Sequence, residues 1–115
     1  DLNREIAITL LEDEGFTVEY AVDGQEAVSK LTTSGADYFQ LVLMDVQMPV
    51  MNGYEATRTI RHLDDEHLSR IPILAMTADA FEEDRQKALR CGMDGHLTKP
   101  IEMDKLFEAL DTMLA

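Results

Sequence analysis

At 115 residues the chain is one domain's worth of sequence, and 45% apolar with 29% charged residues is an ordinary globular balance, which excludes a fibrous or low-complexity protein. The net charge of −13, from 10 Lys+Arg against 23 Asp+Glu, argues against direct nucleic-acid binding, because that binding draws its affinity from basic residues set against phosphates. No apolar run approaches the roughly 20 residues that would span a bilayer, so no membrane contact by this domain is expected. The single cysteine, Cys91, rules out an internal disulfide and fits a reducing cytoplasm.

Leu2, Ile6, Ala7, Leu10 and Leu11 share one face of a helix, and Gly15 stands where such a helix should stop. Residues 16–21 alternate Phe16, Val18 and Tyr20 with Thr17, Glu19 and Ala21, which predicts a strand near a sheet edge. Asp23 and Glu26 have capping-box spacing for a helix over 24–33, closed by Ser34-Gly35. The apolar run Leu41 to Met44, ending in Asp45, predicts a strand buried on both faces. Asn52 and Glu55 repeat the capping spacing and start a helix that carries Tyr54, Thr57, Ile60 and Arg61. Asp64-Asp65-Glu66 is expected to be a polar connection before a second short apolar strand over 72–76. A helix over 81–91 closed by Gly92, a strand over 96–98 and an amphipathic helix over 103–114 complete the chain.

The order α-β-α-β-α-β-α-β-α predicts an α/β fold, a doubly wound parallel sheet in a three-layer α/β/α arrangement over residues 1–115. Ligands in such sheets bind outside the carboxyl ends of the strands. Asp45, Thr77 and Lys99 stand at three of those ends. A carboxylate nucleophile with a hydroxyl and an ammonium to hold equatorial oxygens makes a phosphoryl site. Taken singly, Asp45 reads as a turn cap, Thr77 as the N-cap of the next helix and Lys99 as a solvated charge.

Leu-Met-Asp-Val-Gln-Met-Pro-Val-Met-Asn-Gly at 43–53, Ala-Met-Thr-Ala at 75–78 and Gly-Met-Asp-Gly-His-Leu-Thr-Lys-Pro-Ile at 92–101 resemble the receiver domain of two-component response regulators. The wording is most like receivers of hybrid sensor histidine kinases. The resemblance implies a flavodoxin/CheY-like sheet of order 2-1-3-4-5. It also implies that Asp45 accepts a phosphoryl group from a phosphohistidine of a histidine kinase or histidine phosphotransfer domain. Thr77 then matches the switch hydroxyl and Lys99 the lysine that pairs with the phosphoryl oxygen. The Ala78 amide matches a phosphoryl contact, and Pro100 follows a bond that is cis in the family. Asp45 and the Gln47 carbonyl match magnesium ligands, and the Gln47 and Asp79 side chains occupy positions that tune self-dephosphorylation. His96 stands where the family often has an aromatic switch residue, whereas His62 and His67 read as surface residues.

Asp1-Leu2-Asn3-Arg4 matches the helix start that follows the family's first strand and acidic pair. That strand and two magnesium ligands are therefore expected to be missing from these residues, leaving weak magnesium binding and poor phosphorylation of the 115 residues alone. The strands at 16–21 and 41–45 would lose their common neighbour, so they close up, or take a strand from a second copy in a strand-exchanged dimer, or the natural protein carries the strand in residues outside these 115. An alternative reading is a receiver-fold interaction module that is not phosphorylated. A small phosphatase with an Asp-x-Asp nucleophile is a poor match, because Gln47 occupies the second acidic position.

Overall fold

Apolar patterning fixes two helical layers around a short parallel sheet. The computed structural model describes residues 2–21, 23–35, 38–46, 51–77, 82–98 and 101–114. In chain order the elements are α1 (Leu2–Asp13), α2 (Gly24–Ser34), β1 (Val42–Asp45), α3 (Gly53–Arg61), α4 (Glu66–Ser69), β2 (Ile73–Thr77), α5 (Glu82–Cys91), β3 (Gly95–Thr98) and α6 (Met103–Leu114). Among the described residues the strands form one parallel sheet of order β1-β2-β3.

Strand alternation sends side chains to the two layers in turn. Met44, Ile73 and Ala75 pack with Leu31, Tyr54, Ala56, Ile60, Leu68 and Ala88 from α2, α3, α4 and α5. Leu74 packs on the opposite face with Leu11 of α1 and with Leu106 and Leu110 of α6, joined by Leu43 and Leu97. The doubly wound arrangement expected from the alternation is thus present.

Local signals explain most boundaries. Asn52 and Glu55 form a reciprocal capping box, with the Glu55 amide donating to Asn52 Oδ1 at 2.9 Å and the Asn52 amide donating to Glu55 Oε1 at 3.2 Å. The Glu26 amide donates to Asp23 Oδ1 at 2.8 Å at the start of α2. Gly15, Gly35 and Gly92, the three expected helix stops, all have φ between 93° and 110°, a region that other residues rarely adopt.

Three expectations need correction. Residues 16–21 form no strand, although the alternation is there. A strand requires a hydrogen-bonded neighbour, and β1 pairs only with β2 among the described residues. The 16–21 segment instead meets the β1 side through side chains. Val18 joins the cluster of Leu41 and Leu43, and a hydrogen bond to Glu19, reinforced by that carboxylate's charge, raises the Tyr38 pKa. Second, β1 packs on both faces but is only partly buried. Among the described residues it is the outer strand, in which Met44 is buried and Val42, Leu43 and Asp45 are half-buried. The strand with the buried pattern is the central one, β2. Third, the 64–66 connection contains the start of α4, because Asp65 Oδ1 accepts from the His67 and Leu68 amides and drives Leu68 into the core.

One core polar group is left over. Thr57 is fully buried in α3, and its Oγ1 finds no hydrogen-bond partner among the described residues. A buried hydroxyl without a partner costs about 1–3 kcal/mol. Thr57→Val keeps the shape and removes that hydroxyl, so its urea midpoint should equal or exceed the parent's, with a gain of up to about 1–2 kcal/mol. A clear loss of stability would mean that the hydroxyl has a partner.

Candidate functional site

Parallel pairing carries all three strands to one carboxyl edge. Asp45, the last residue of β1, lies opposite Met76, and Thr77, the last residue of β2, lies opposite Thr98 at the end of β3. Asp45 and Thr77 therefore stand one residue apart on neighbouring strands, whose spacing is about 4.8 Å. Alternation gives Asp45 the face of Leu43 and Thr77 the face of Ile73 and Ala75, so the two reach the edge from opposite faces. Asp45 is half-buried and Thr77 is 3% exposed. Both carry further polar or electrostatic interactions within the fold.

The backbone after Asp45 is held from two sides. The Val46 amide donates to the Met76 carbonyl at 3.0 Å, which extends the β1–β2 ladder one step past Asp45. The Gly53 amide donates to the Val46 carbonyl at 3.0 Å and brings the first turn of α3 onto the strand end. A Cβ at position 53 would lie 2.4 Å from the Asp45 carbonyl oxygen, so only glycine lets α3 come this close. The first turn of α3 therefore rests against the backbone of Asp45. The capping spacing of Asn52 and Glu55 says nothing of position 53, whereas the contact of Gly53 makes it part of the site.

His96 lies in β3 opposite Ala75, on the α5 side by alternation with Leu97. Its Nε2 is buried and has no hydrogen-bond partner among the described residues. His62 and His67 are exposed, as expected. Tyr54, next to Gly53, is buried, and Lys87 of α5 sits with its Nζ 4.7 Å from the Tyr54 ring centroid. This cation–π contact ties α5 to the first turn of α3. Lys99, Pro100, Gln47, Ala78 and Asp79 lie outside the described residues.

Magnesium takes near-octahedral oxygen ligands, with carboxylates supplying the charge. Among the described residues no group of three acidic, histidine or cysteine side chains converges, and the carboxylate ending a strand at this edge is that of Asp45. What the edge presents is a half-buried carboxylate at one strand end and a buried hydroxyl one residue further along on the neighbouring strand.

A family model described as the response regulator receiver domain matches residues 1–111. The chain is 36% identical over 115 residues to Hybrid signal transduction histidine kinase I of Dictyostelium discoideum, an alignment covering 98% of this chain and 7% of that protein. It thus spans less than a tenth of that relative's length. Among solved structures it resembles the receiver domain of sensor histidine kinase PA1611 from Pseudomonas aeruginosa PAO1, which has a magnesium ion coordinated in its active-site cleft. The TM-score is 0.81 at 34% identity, over 98% of this chain and 88% of that one. It also resembles the receiver domain of the Saccharomyces cerevisiae response regulator Ssk1, crystallised with the histidine phosphotransfer signalling protein Ypd1. The TM-score there is 0.83 at 30% identity, over 94% and 78% of the two chains. The parallel sheet flanked by helices is the flavodoxin/CheY-like fold of these structures. No described helix is long and apolar enough to cross a membrane.

Proposed function

Because the chain belongs to the response regulator receiver domain family, we propose that Asp45 is the residue through which it receives a phosphoryl group in a phosphorelay. A carboxylate oxygen of Asp45 attacks the phosphorus of a phosphohistidine. The phosphorus–nitrogen bond breaks as the phosphorus–oxygen bond forms, and the freed imidazole takes up a proton. Thr77 donates its hydroxyl to a phosphoryl oxygen, and Lys99 supplies the positive charge for the same group. The Ala78 amide is a further donor, and Gln47 and Asp79 set how fast water removes the group. His96 and Pro100 belong to the machinery that transmits and positions. The observation that carries this reading is the placement of Asp45 and Thr77 at adjacent strand ends, one residue apart.

The proposed donor is a histidine kinase or a histidine phosphotransfer protein, which locates the exchange in the cytoplasm. The yeast receiver crystallised with Ypd1 supports that class of partner. Magnesium supplies charge neutralisation where it is bound, with the Asp45 carboxylate and the Gln47 carbonyl as proposed ligands.

The test is chemical trapping in the natural full-length protein. After exposure to a phosphorylated histidine phosphotransfer protein, borohydride reduction of an acyl phosphate should mark the peptide containing Asp45. A label on another acidic residue, or a hydroxylamine-resistant label on His62 or His67, would overturn the assignment.

A further inference from the structure

Helix α2 reaches the site through its first residue. Gly24 is buried, and its amide donates to the Met51 carbonyl at 3.0 Å. Its φ is not in the left-handed region, so the backbone angle does not call for glycine. The contact does. A Cβ at position 24 would lie 2.4 Å from the Met51 carbonyl oxygen, 3.1 Å from its carbonyl carbon and 3.0 Å from Ala56 Cβ. The first two are backbone atoms, which cannot yield by changing rotamer.

Met51 lies two residues before Gly53, and Gly53 in turn has no room for a Cβ against the Asp45 carbonyl. The segment that leaves Asp45 is therefore pinned at Val46 by the Met76 carbonyl and the Gly53 amide, and at Met51 by the Gly24 amide. Two close-approach glycines from different elements bracket it. Met51 is joined through Asn52 to Gly53, whose amide holds the Val46 carbonyl next to Asp45.

We propose that Gly24 is a positioning residue for Asp45. It acts by fixing how closely α2 approaches the Met51 carbonyl, two residues before Gly53. The proposal rests on the reading of Asp45 as phosphoacceptor for its kinetic consequence, but its geometric consequence stands apart from that reading.

Three variants separate positioning from general support. Gly24→Ala introduces the contact with Met51. Leu31→Ala weakens the attachment of α2 to the core and leaves that contact alone. Gly24→Ala combined with Ala56→Gly removes the contact between the two Cβ atoms and keeps the one with Met51. In the ¹⁵N-labelled chain, Gly24→Ala should shift the Asp45, Val46 and Gly53 amides well beyond the changes caused by Leu31→Ala. In the full-length protein, phosphorylation of Asp45 by phosphoramidate should slow by roughly ten- to a hundredfold, the scale of a misplaced reacting group, and Ala56→Gly should not restore it. Amide shifts confined to α2, an equal slowing by Leu31→Ala at matched stability, rescue by Ala56→Gly, or loss of the fold in Gly24→Ala would each make the contact structural and overturn the proposal. A parent protein that takes no phosphoryl group would defeat the phosphoacceptor reading instead, with the amide shifts still deciding the role of Gly24.

Discussion

Replacing Arg61 with alanine is expected to lower the unfolding free energy by about 3–5 kcal/mol, at the upper end of single substitutions. Arg61 ends α3, and its guanidinium joins three segments at the amino-terminal side of the sheet. Nε donates to the Gly92 carbonyl at 2.8 Å, and Nη1 donates to the carbonyls of Ser69 at 3.0 Å and Ile71 at 2.7 Å. Nη2 donates to Asp94 Oδ2 at 2.9 Å, and the same oxygen accepts from the Ile73 amide at 2.8 Å. The arginine side chain is 19% exposed and that of Asp94 49%, so the ion pair itself is partly screened and worth little. Most of the effect comes from three backbone carbonyls that lose a charged donor, each worth about 1–3 kcal/mol before water replaces part of it. Gly92 packs against the arginine stem, and a Cβ there would lie 2.9 Å from Arg61 Cγ.

Two controls follow from that division. Arg61→Lys should recover only a minor part of the loss, because one ammonium cannot reproduce the planar fork that serves three carbonyls and a carboxylate. The deficit should also change little with salt, since carbonyl acceptors are not screened as an exposed ion pair is. Urea unfolding with an unchanged m-value would measure both. If high salt closed the gap, the Asp94 pair would be the main contributor and the carbonyl argument would fail.

Arg61 also shows where sequence reading stops. The helix over 53–61 was legible from its capping spacing, and Arg61 fell within it, but a cation in the last turn of a helix usually means a solvated charge near the negative end of the dipole. Its acceptors are backbone carbonyls 8, 10 and 31 residues away, and carbonyls leave no mark on side-chain patterning. Gly24 and Gly53 were obscure for a related reason, since the need for glycine lies in a backbone approaching from elsewhere in the chain. Asp45 and Thr77 were legible because apolar strand patterns end in an abrupt change of polarity, and parallel topology turns that change into a shared edge. The 16–21 alternation misled because period two reports which face of a strand is buried, not whether a neighbour is there to pair with it. The small helix α4 was missed because the cluster Asp64-Asp65-Glu66 looks like a loop, although Asp65 is also a good N-cap.

Asp45→Asn should reduce phosphoryl uptake from a histidine donor by more than about a thousandfold in the full-length protein, while changing stability by no more than about 1 kcal/mol. The amide is nearly the same size as the carboxylate and can still hydrogen-bond at the end of β1, but its oxygen carries no charge to attack phosphorus. Because Asp45 sits on a half-buried edge and not in the core, the exchange leaves packing almost untouched. Asp45→Glu restores the charge on a longer stem. With the backbone pinned by Gly53 and the Val46 amide, the misplaced carboxylate should recover only a small part of the rate, since an error of about 1 Å costs on the order of a hundredfold. Thr77→Ala removes one donor to the phosphoryl group and leaves the nucleophile, so its loss should be smaller, about 10–100-fold. The order Asp45→Asn, then Asp45→Glu, then Thr77→Ala is what a carboxylate nucleophile assisted by a hydroxyl requires. An Asp45→Asn protein that still took up phosphoryl groups at a rate comparable to Thr77→Ala would place the acceptor elsewhere and leave this edge a binding surface.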